Sequence, residues 1–175
     1  MSNRTLTLLL AITANLAIQT AQAATTGTLN FTGQVNAGTC NLAAGDANRS
    51  IKLPAVKISD FDESPSAGAF DFEISADCDS DIHDVTFLFA GKASAGNAAL
   101  FANTGTSKGT ALQLTHRVAP AFEIAANGTP VQRSRKVATS SKKAVIPLTA
   151  AYHKTGAAIT QGTLASAVTV SISYN

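Results

Sequence analysis

Two cysteines, Cys40 and Cys78, are the side chains whose chemistry is most readily interpreted. The N-terminal residues carry an export signal, described below, and an even cysteine count in an exported chain is typical of a disulfide. The bond would close a loop of about 38 residues, worth about 3–4 kcal/mol in the chain-entropy account. The alternatives are two free thiols or a metal pair, and a metal site needs two further ligands that no nearby histidine supplies at finger spacing. We therefore predict a Cys40–Cys78 disulfide.

The remaining reactive side chains form no catalytic pattern in the sequence. The histidines His83, His116 and His153 are scattered, and no pair has the spacing of a zinc site. The chain has no G-x-S-x-G elbow for a serine hydrolase. Gly91-Lys92 lacks the upstream glycine of a phosphate-binding loop. The sequence therefore predicts no enzyme, no metal and no cofactor.

An acidic run after the second cysteine has the spacing with which a calcium loop begins. Asp77, Asp79 and Asp81 fit its first three ligand positions. Ile82 stands where the loop needs a glycine, and Leu88 stands where a bidentate glutamate belongs. A solvated turn is the favoured interpretation.

A local basic cluster lies in the second half of the chain, interleaved with Ser, Thr and Val. Its members are Arg133, Arg135, Lys136, Lys142 and Lys143. The formal net charge is only +2 and the cluster has no aromatic partners, so a nucleic-acid partner is not expected. An exposed hairpin tip that protects a strand edge is favoured over an anionic-ligand site, and the role of the cluster stays open.

The N-terminal residues have the three parts of a secretory signal peptide. Arg4 gives a positive start, Leu6 to Ile18 is mostly apolar, and Ala21-Gln22-Ala23 is a small-x-small cleavage site. We expect residues 1–23 to be the signal peptide. A membrane anchor is the alternative, but the apolar run is shorter than the roughly 20 residues of a span. Export without a lipid bilayer span is therefore predicted.

The period of the apolar residues is two almost throughout the rest of the chain. Hydrophobic residues make up 45% of the sequence and charged residues 14%, which suits a packed β-protein. The alternating runs are 29–35, 70–76, 85–89, 112–118, 145–152 and 168–174. Turn-forming residues separate them, and Asn127-Gly128 indicates a hairpin if strands flank it. We predict one all-β domain, a sandwich of seven or more strands, with 93–99 either a short helix or a loop.

Two of these runs stand near the two ends of the chain. The first presents Leu29, Phe31, Gly33 and Val35 on one face. The second presents Val168, Val170, Ile172 and Tyr174. A strand with an unpaired edge and an apolar face recruits other strands. Pairing of both runs at the sandwich edges within one molecule remains the equally weighted alternative.

The order and spacing of six segments resemble the chaperone–usher pilins, close to the type 1 fimbrial major-subunit group. These segments are 27–35 leading into Cys40, Asp77-Cys78, 85–91, 112–117, 148–156 followed by Gly162, and 170–175. The resemblance spans the chain from residue 24 to its end, although 93–108 and the basic cluster match less clearly.

The resemblance implies an incomplete immunoglobulin-like β-sandwich that is completed by a donated strand. Residues 24–36 would be the donor-strand extension and residues 37–175 the pilin domain. Leu29, Phe31 and Val35 would enter pockets of a neighbouring subunit, with Gly33 where a side chain has no room. The run containing Val168, Val170, Ile172 and Tyr174 would border the acceptor groove and contact the chaperone.

The function that this resemblance implies is structural. The chain would be a subunit of a fimbria that supports cell adhesion, exported through the periplasm to the cell surface. Its expected partners are a periplasmic pilus chaperone, an outer-membrane usher and neighbouring subunits in a homopolymer. A one-domain minor, adaptor or adhesive pilus subunit is the first alternative, and a self-contained secreted ligand-binding sandwich is the second. A secreted enzyme comes last.

Overall fold

The computed structural model describes residues 28–175, so the predicted signal peptide, residues 1–23, lies outside the described residues. Residues 36–175 form one compact unit. The strands are β1 Cys40–Leu42, β2 Ser66–Cys78, β3 Asp84–Gly91, β4 Thr110–His116, β5 Phe122–Glu123, β6 Ser134–Ala138, β7 Lys143–Lys154 and β8 Val168–Tyr174. One 3-10 helix, η1, spans Ile58–Phe61.

The strands form two antiparallel sheets. One sheet has the order β1-β2-β7-β4-β5 and the other the order β6-β3-β8. The longest continuous pairing joins β2 to β7, from Phe70 opposite Ala150 to Asp77 opposite Lys143. Two sheets of this kind confirm the predicted all-β sandwich.

The core lies between the inward faces of the two sheets, as the alternation predicts. β3 contributes Val85, Phe87 and Phe89, which are fully buried. β2 and β7 contribute Phe72, Ile74, Ala76, Ile146, Leu148 and Ala150. Four of the largest fully buried side chains come from outside the predicted runs: Phe61, Leu100, Phe101 and Ile124. They belong to η1 and to loops, where no period marks an inward face.

The first alternating run does not form a strand. None of the strand ladders among residues 28–175 includes residues 28–39. Alternation specifies which face of a strand is apolar, but a strand also needs a neighbour that accepts and donates its backbone hydrogen bonds. The sequence of this run predicts an apolar face, but it does not provide a neighbouring strand for pairing.

The Asn127-Gly128 signal marks a turn but not a hairpin. The Gly128 N–H donates to the Ala125 carbonyl at 2.9 Å, which closes a tight turn. The flanking strands β5 and β6 belong to different sheets, so this turn carries the chain across the sandwich. A hairpin requires the flanking strands to pair with one another, and local sequence does not decide that.

The undecided segment 93–99 is a loop. Ala93 forms an isolated bridge with Phe101, and the Ser94 N–H donates to the Leu100 carbonyl at 2.9 Å. These contacts carry Leu100 and Phe101 into the core.

The two cysteines are joined by a disulfide, which confirms the predicted pairing. Cys40 and Cys78 lie directly opposite each other in the β1–β2 ladder, with 4.1 Å between their Cα atoms and 2.01 Å between their sulfurs. The bond therefore fastens β1, only three residues long, to the longest strand of the sheet.

The acidic run after Cys78 also anchors the start of β1. The Asp79 carboxylate accepts the Thr39 N–H at 2.8 Å, and the Asp81 carboxylate accepts the Gly38 N–H at 2.8 Å. A Cβ atom at Gly38 would overlap the Asp81 carboxylate and the Asp79 Cβ, so a side chain there would displace the two carboxylates that hold β1. Asp77 instead pairs with Lys143 at 3.0 Å. Two of the three carboxylates in the calcium-like run therefore hold the backbone that leads into β1.

The basic cluster divides among several intramolecular contacts. Lys136 pairs with Asp84 at 2.9 Å, and Arg133 donates to the carbonyls of Gly128 and Phe89. Arg135 lies over the ring of Phe122, which joins β6 of one sheet to β5 of the other. Because β6 is an edge strand, its charges discourage pairing with another chain at that edge.

His116 lies beside this contact between the two sheets. Phe122 is its partner in the β4–β5 ladder, and its Nε2 is buried with no hydrogen-bond partner among residues 28–175. Burial, and secondarily the charge of Arg135, lowers the pKa of His116 below its ordinary value of 6.5.

Loss of the disulfide should destabilise the domain. Cys40→Ser releases the closed loop, and we expect the free energy of unfolding to fall by about 3–4 kcal/mol. Urea denaturation of the variant and the oxidised parent measures the difference, with the Cys40→Ser/Cys78→Ser double variant as a control for the thiol left behind. Two free thiols found by alkylation of the native protein would contradict the assignment.

Stability should also depend on the protonation of His116. The lowered pKa means that the folded state prefers the neutral imidazole, so this contribution is complete above pH 6.5 and is lost as the pH falls through the lower, folded value. His116→Gln should flatten that part of the profile of unfolding free energy against pH. The exposed His83, changed to Gln, is the control, and an identical profile for the two variants would exclude His116.

Candidate functional site: a groove beside the last strand

A groove with a volume of about 1470 Å³ opens along one side of the sandwich. One wall is residues 42–58, called here the leading wall, and the other is residues 159–170, called the trailing wall. The floor between them consists of Phe72, Ile74, Phe89, Leu112, Leu114, Leu148, Ala150 and Tyr152. Several of these are core residues with at most 8% of their surfaces exposed, so the groove runs along the edge of the core.

Side chains, rather than a strand ladder, hold the leading wall against β2, because β1 ends at Leu42. Beyond Leu42 no residue of this wall joins a strand ladder. The Asp46 carboxylate accepts the Ser75 N–H at 2.8 Å and the Ser75 hydroxyl at 3.1 Å. Arg49 pairs with Asp46 at 3.1 Å and donates to the Glu73 carbonyl at 2.7 Å. These bonds replace the ladder that would otherwise fix the wall to β2.

The trailing wall ends in β8, an edge strand. Among residues 28–175, β8 pairs only with β3, and its other edge borders the groove. Val168 and Val170 line the groove, whereas Ile172 packs against the core beyond it. Tyr174 is 41% exposed and lines a separate hollow of about 240 Å³. The four residues predicted for the groove strand thus share β8 but not one environment.

Asn103 fixes the irregular part of the trailing wall. Its Oδ1 accepts the N–H groups of Gly105 at 2.7 Å and Ala165 at 2.9 Å. Its Nδ2 donates to the carbonyls of Ser107 at 2.9 Å and Thr163 at 3.3 Å. One side chain therefore joins two loops. The turn-forming sequence Asn103-Thr104-Gly105 is the only signal that could have suggested it.

The residues predicted to form a donor strand are exposed. Leu29, Phe31 and Val35 expose 81%, 89% and 99% of their surfaces. A Cβ atom at Gly33 would meet no atom within 4 Å. Large apolar side chains in such a row are unusual on a protein surface and typically mark an interaction site.

A model of the fimbrial protein family matches residues 29–175. The chain belongs to this family. The fimbrial proteins are structural proteins rather than enzymes, and the family implies association with other pilus subunits and a place in an extracellular pilus. No helix among residues 28–175 has the length and apolar character needed to cross a bilayer.

Solved structures of pilus proteins share the fold. A chain in the structure of a chaperone–usher pilus, solved in work on rod uncoiling, has a TM-score of 0.63 at 20% identity, covering 87% of this chain and 98% of that one. The P pilus rod subunit PapA has a TM-score of 0.62 at 17% identity, covering 78% and 99%. A type I fimbria protein of Burkholderia pseudomallei has a TM-score of 0.50 at 20% identity, covering 79% and 99%. No curated protein sequence matches the chain. These likenesses confirm the immunoglobulin-like pilin fold.

Removal of the Asp46 carboxylate should loosen the leading wall. Asp46→Ala leaves the partly buried Ser75 N–H without its partner, and we expect a loss of about 1–3 kcal/mol of unfolding free energy. Asp62→Ala, at an exposed position outside the groove lining, is the matched control. Equal unfolding midpoints in urea for the two variants would show that Asp46 does not hold the wall.

Proposed function

We propose that the chain is a structural rod subunit of a chaperone–usher pilus that polymerises by donor-strand exchange. In this proposal residues 24–36 of one subunit enter the groove of the next. Residues 37–175 form the domain that accepts the donated strand.

The observation that carries the proposal is the groove itself. Its floor is core, and one of its sides is the unpaired edge of β8. A strand placed there would add main-chain hydrogen bonds to β8 and cover the apolar floor at once. In a complete sandwich, the last strand of the same chain makes both of these contacts.

The exposed N-terminal residues have the chemistry of such an occupant. Leu29, Phe31 and Val35 alternate with polar residues, so an extended segment directs all three to one side. Burial of each would contribute roughly 1.5–3 kcal/mol. Gly33 stands between Phe31 and Val35 on the same face, where we propose that the groove leaves no space for a side chain.

The same groove accounts for a chaperone and an usher as partners. An uncovered core would aggregate during export, so a chaperone strand would occupy the edge of β8 and contact Val168 and Val170 until a donor replaces it. The usher would bring the two subunits together. Export through the periplasm to the cell surface and support of cell adhesion complete the proposal.

A substitution at Gly33 tests whether residues 24–36 enter the groove of a neighbouring subunit or pack within their own domain. Gly33→Leu adds a bulky side chain to the donor face, at a position where a Cβ atom would meet no atom within 4 Å. We expect normal yield of the folded, chaperone-bound subunit and loss of surface fibres, counted by electron microscopy of cells carrying the chaperone and usher.

Thr32→Leu is the matched control, because it places the same side chain on the opposite face of the donor. It should leave fibre assembly close to the wild-type level. Normal fibres with Gly33→Leu, or a collapse in subunit yield with it, would overturn the proposed role of residues 24–36.

A further inference from the structure

The residues that precede β1 are tied to the turn after β2 by hydrogen bonds outside the strand ladders. The Gly38 N–H donates to the Asp81 carboxylate at 2.8 Å. The Thr39 N–H and hydroxyl donate to the Asp79 carboxylate at 2.8 Å and 3.3 Å, and the Asp79 N–H donates back to the Thr39 carbonyl at 2.9 Å. These four residues, Gly38, Thr39, Asp79 and Asp81, are called here the N-terminal clamp.

The N-terminal clamp extends the anchoring of the chain past the end of the ladder. The β1–β2 ladder ends at Cys40, which its disulfide joins to Cys78. The clamp holds the two residues before that bond with carboxylates, which accept stronger hydrogen bonds than neutral groups do. Asp79 and Asp81 are exposed and do not belong to the core. Their hydrogen bonds therefore determine the course of the backbone at 38–39 rather than the packing of the sandwich.

The clamp lies close in sequence to the segment that we propose is donated. Only Asn36 and Ala37 stand between Val35, the last apolar residue of that segment, and Gly38. Three steps of extended chain span at most about 11 Å, so a neighbouring groove that holds Val35 would lie within that distance of the clamp. Without the clamp the distance would be measured from Cys40, five steps away, and its limit would rise to about 18 Å.

We propose that Asp79 and Asp81 are positioning residues that fix the direction in which the donated strand leaves its own domain, and thereby set the arrangement of successive subunits in the fibre. The inference rests on the proposed function, because the partner is the groove of a second copy of this chain. The donor subunit is then held at two nearby points, its strand by the neighbour and its backbone at 38–39 by the clamp. So short a connection limits how far one domain can swing against the next.

Gly38 provides a second way to open the clamp. Its backbone passes so close to the two carboxylates that a Cβ atom would overlap Asp81 Oδ1 and lie 2.7 Å from Asp79 Cβ. Gly38→Ala would therefore displace the clamp while keeping both of its charges. Removal of the carboxylates and addition of a methyl group are different chemical changes, so an effect common to both would come from the clamp.

The stiffness of the fibres measures the proposed positioning. Asp79→Ala/Asp81→Ala leaves the disulfide in place and lengthens the connection from residues 36–37 to residues 36–39. We expect surface fibres in near-normal number with a persistence length about half that of the wild type or less, because the connection doubles in length. The measurement is the curvature of fibres in electron micrographs of cells carrying the chaperone and usher.

Two further variants separate the hydrogen bonds from the charge. Asp79→Asn/Asp81→Asn keeps an acceptor oxygen at each position and should restore most of the stiffness. Asp77→Ala removes a carboxylate from the same acidic run, but Asp77 pairs with Lys143 rather than with residues 38–39, so its fibres should match the wild type. Equally flexible fibres from Asp77→Ala would assign the effect to charge and remove the clamp from the explanation.

Gly38→Ala should make the fibres flexible in the same way, with Gly45→Ala as its matched control. A Cβ atom at Gly45 would meet no atom within 4 Å, so the control makes the same chemical change without crowding. Wild-type stiffness from Gly38→Ala, together with normal exchange of the clamp amides, would count against the inference.

Hydrogen exchange of the oxidised chain gives a second readout that needs no fibres. The Gly38 and Thr39 amides should exchange slowly in the wild type and in Gly45→Ala, because carboxylates accept both. They should exchange faster in Gly38→Ala and in Asp79→Ala/Asp81→Ala. Rapid exchange of both amides in the wild type would show that the clamp does not form.

The outcomes distinguish positioning from stabilisation, and both from failure of the proposed function. If the clamp only stabilised the domain, its variants would lower the unfolding midpoint in urea and the number of fibres but leave their stiffness unchanged. That result, or a complete loss of fibres at normal subunit yield, would overturn the inference and leave donor-strand exchange intact. A wild-type chain that forms no fibres with the chaperone and usher present would contradict the proposed function itself.

Discussion

The uncovered edge of the sandwich core is the constraint on which the rest of the molecule depends. A two-layer fold buries its apolar faces by covering every edge, yet here Phe72, Ile74 and Leu112 line an open groove. At the other edges of the two sheets, Arg135 of β6 lies over the ring of Phe122 of β5. The asymmetry leaves one place where an additional strand gains both hydrogen bonds and apolar contact.

An edge left open in this way cannot hold its own walls by strand pairing, and polar anchors do so instead. The disulfide and the carboxylates of Asp79 and Asp81 fix the chain around β1. Asp46 fixes the leading wall, and Asn103 fixes the trailing wall. Anchors of this kind would keep the groove formed before the proposed donor strand arrives, which would lower the entropy cost of its binding.

The alternation in the sequence correctly predicted the strands that pair within the chain. It did not predict which segments have a pairing partner or which loop residues enter the core. Alternation located β2, β3, β7 and β8, because each has one face on the core. It also predicted a strand at 29–35, where the described structure has none, because a ladder needs a partner. Asn127-Gly128 correctly indicated a turn, but it did not indicate that the flanking strands belong to different sheets. Phe101 and Asn103 were missed because loop contacts follow no period.

The two alternating segments near the ends of the sequence, 29–35 and 168–174, differ in burial although their patterns are alike. Leu29 and Phe31 are exposed, whereas Val168 and Val170 are half-buried in the wall of a groove. A pattern of period two thus encodes an apolar face and leaves the partner unspecified. If one segment is donated to the other, as we propose, the contact joins two different surfaces of identical chains. Such a heterologous contact need not close on itself, and its repetition produces a fibre rather than a symmetric dimer.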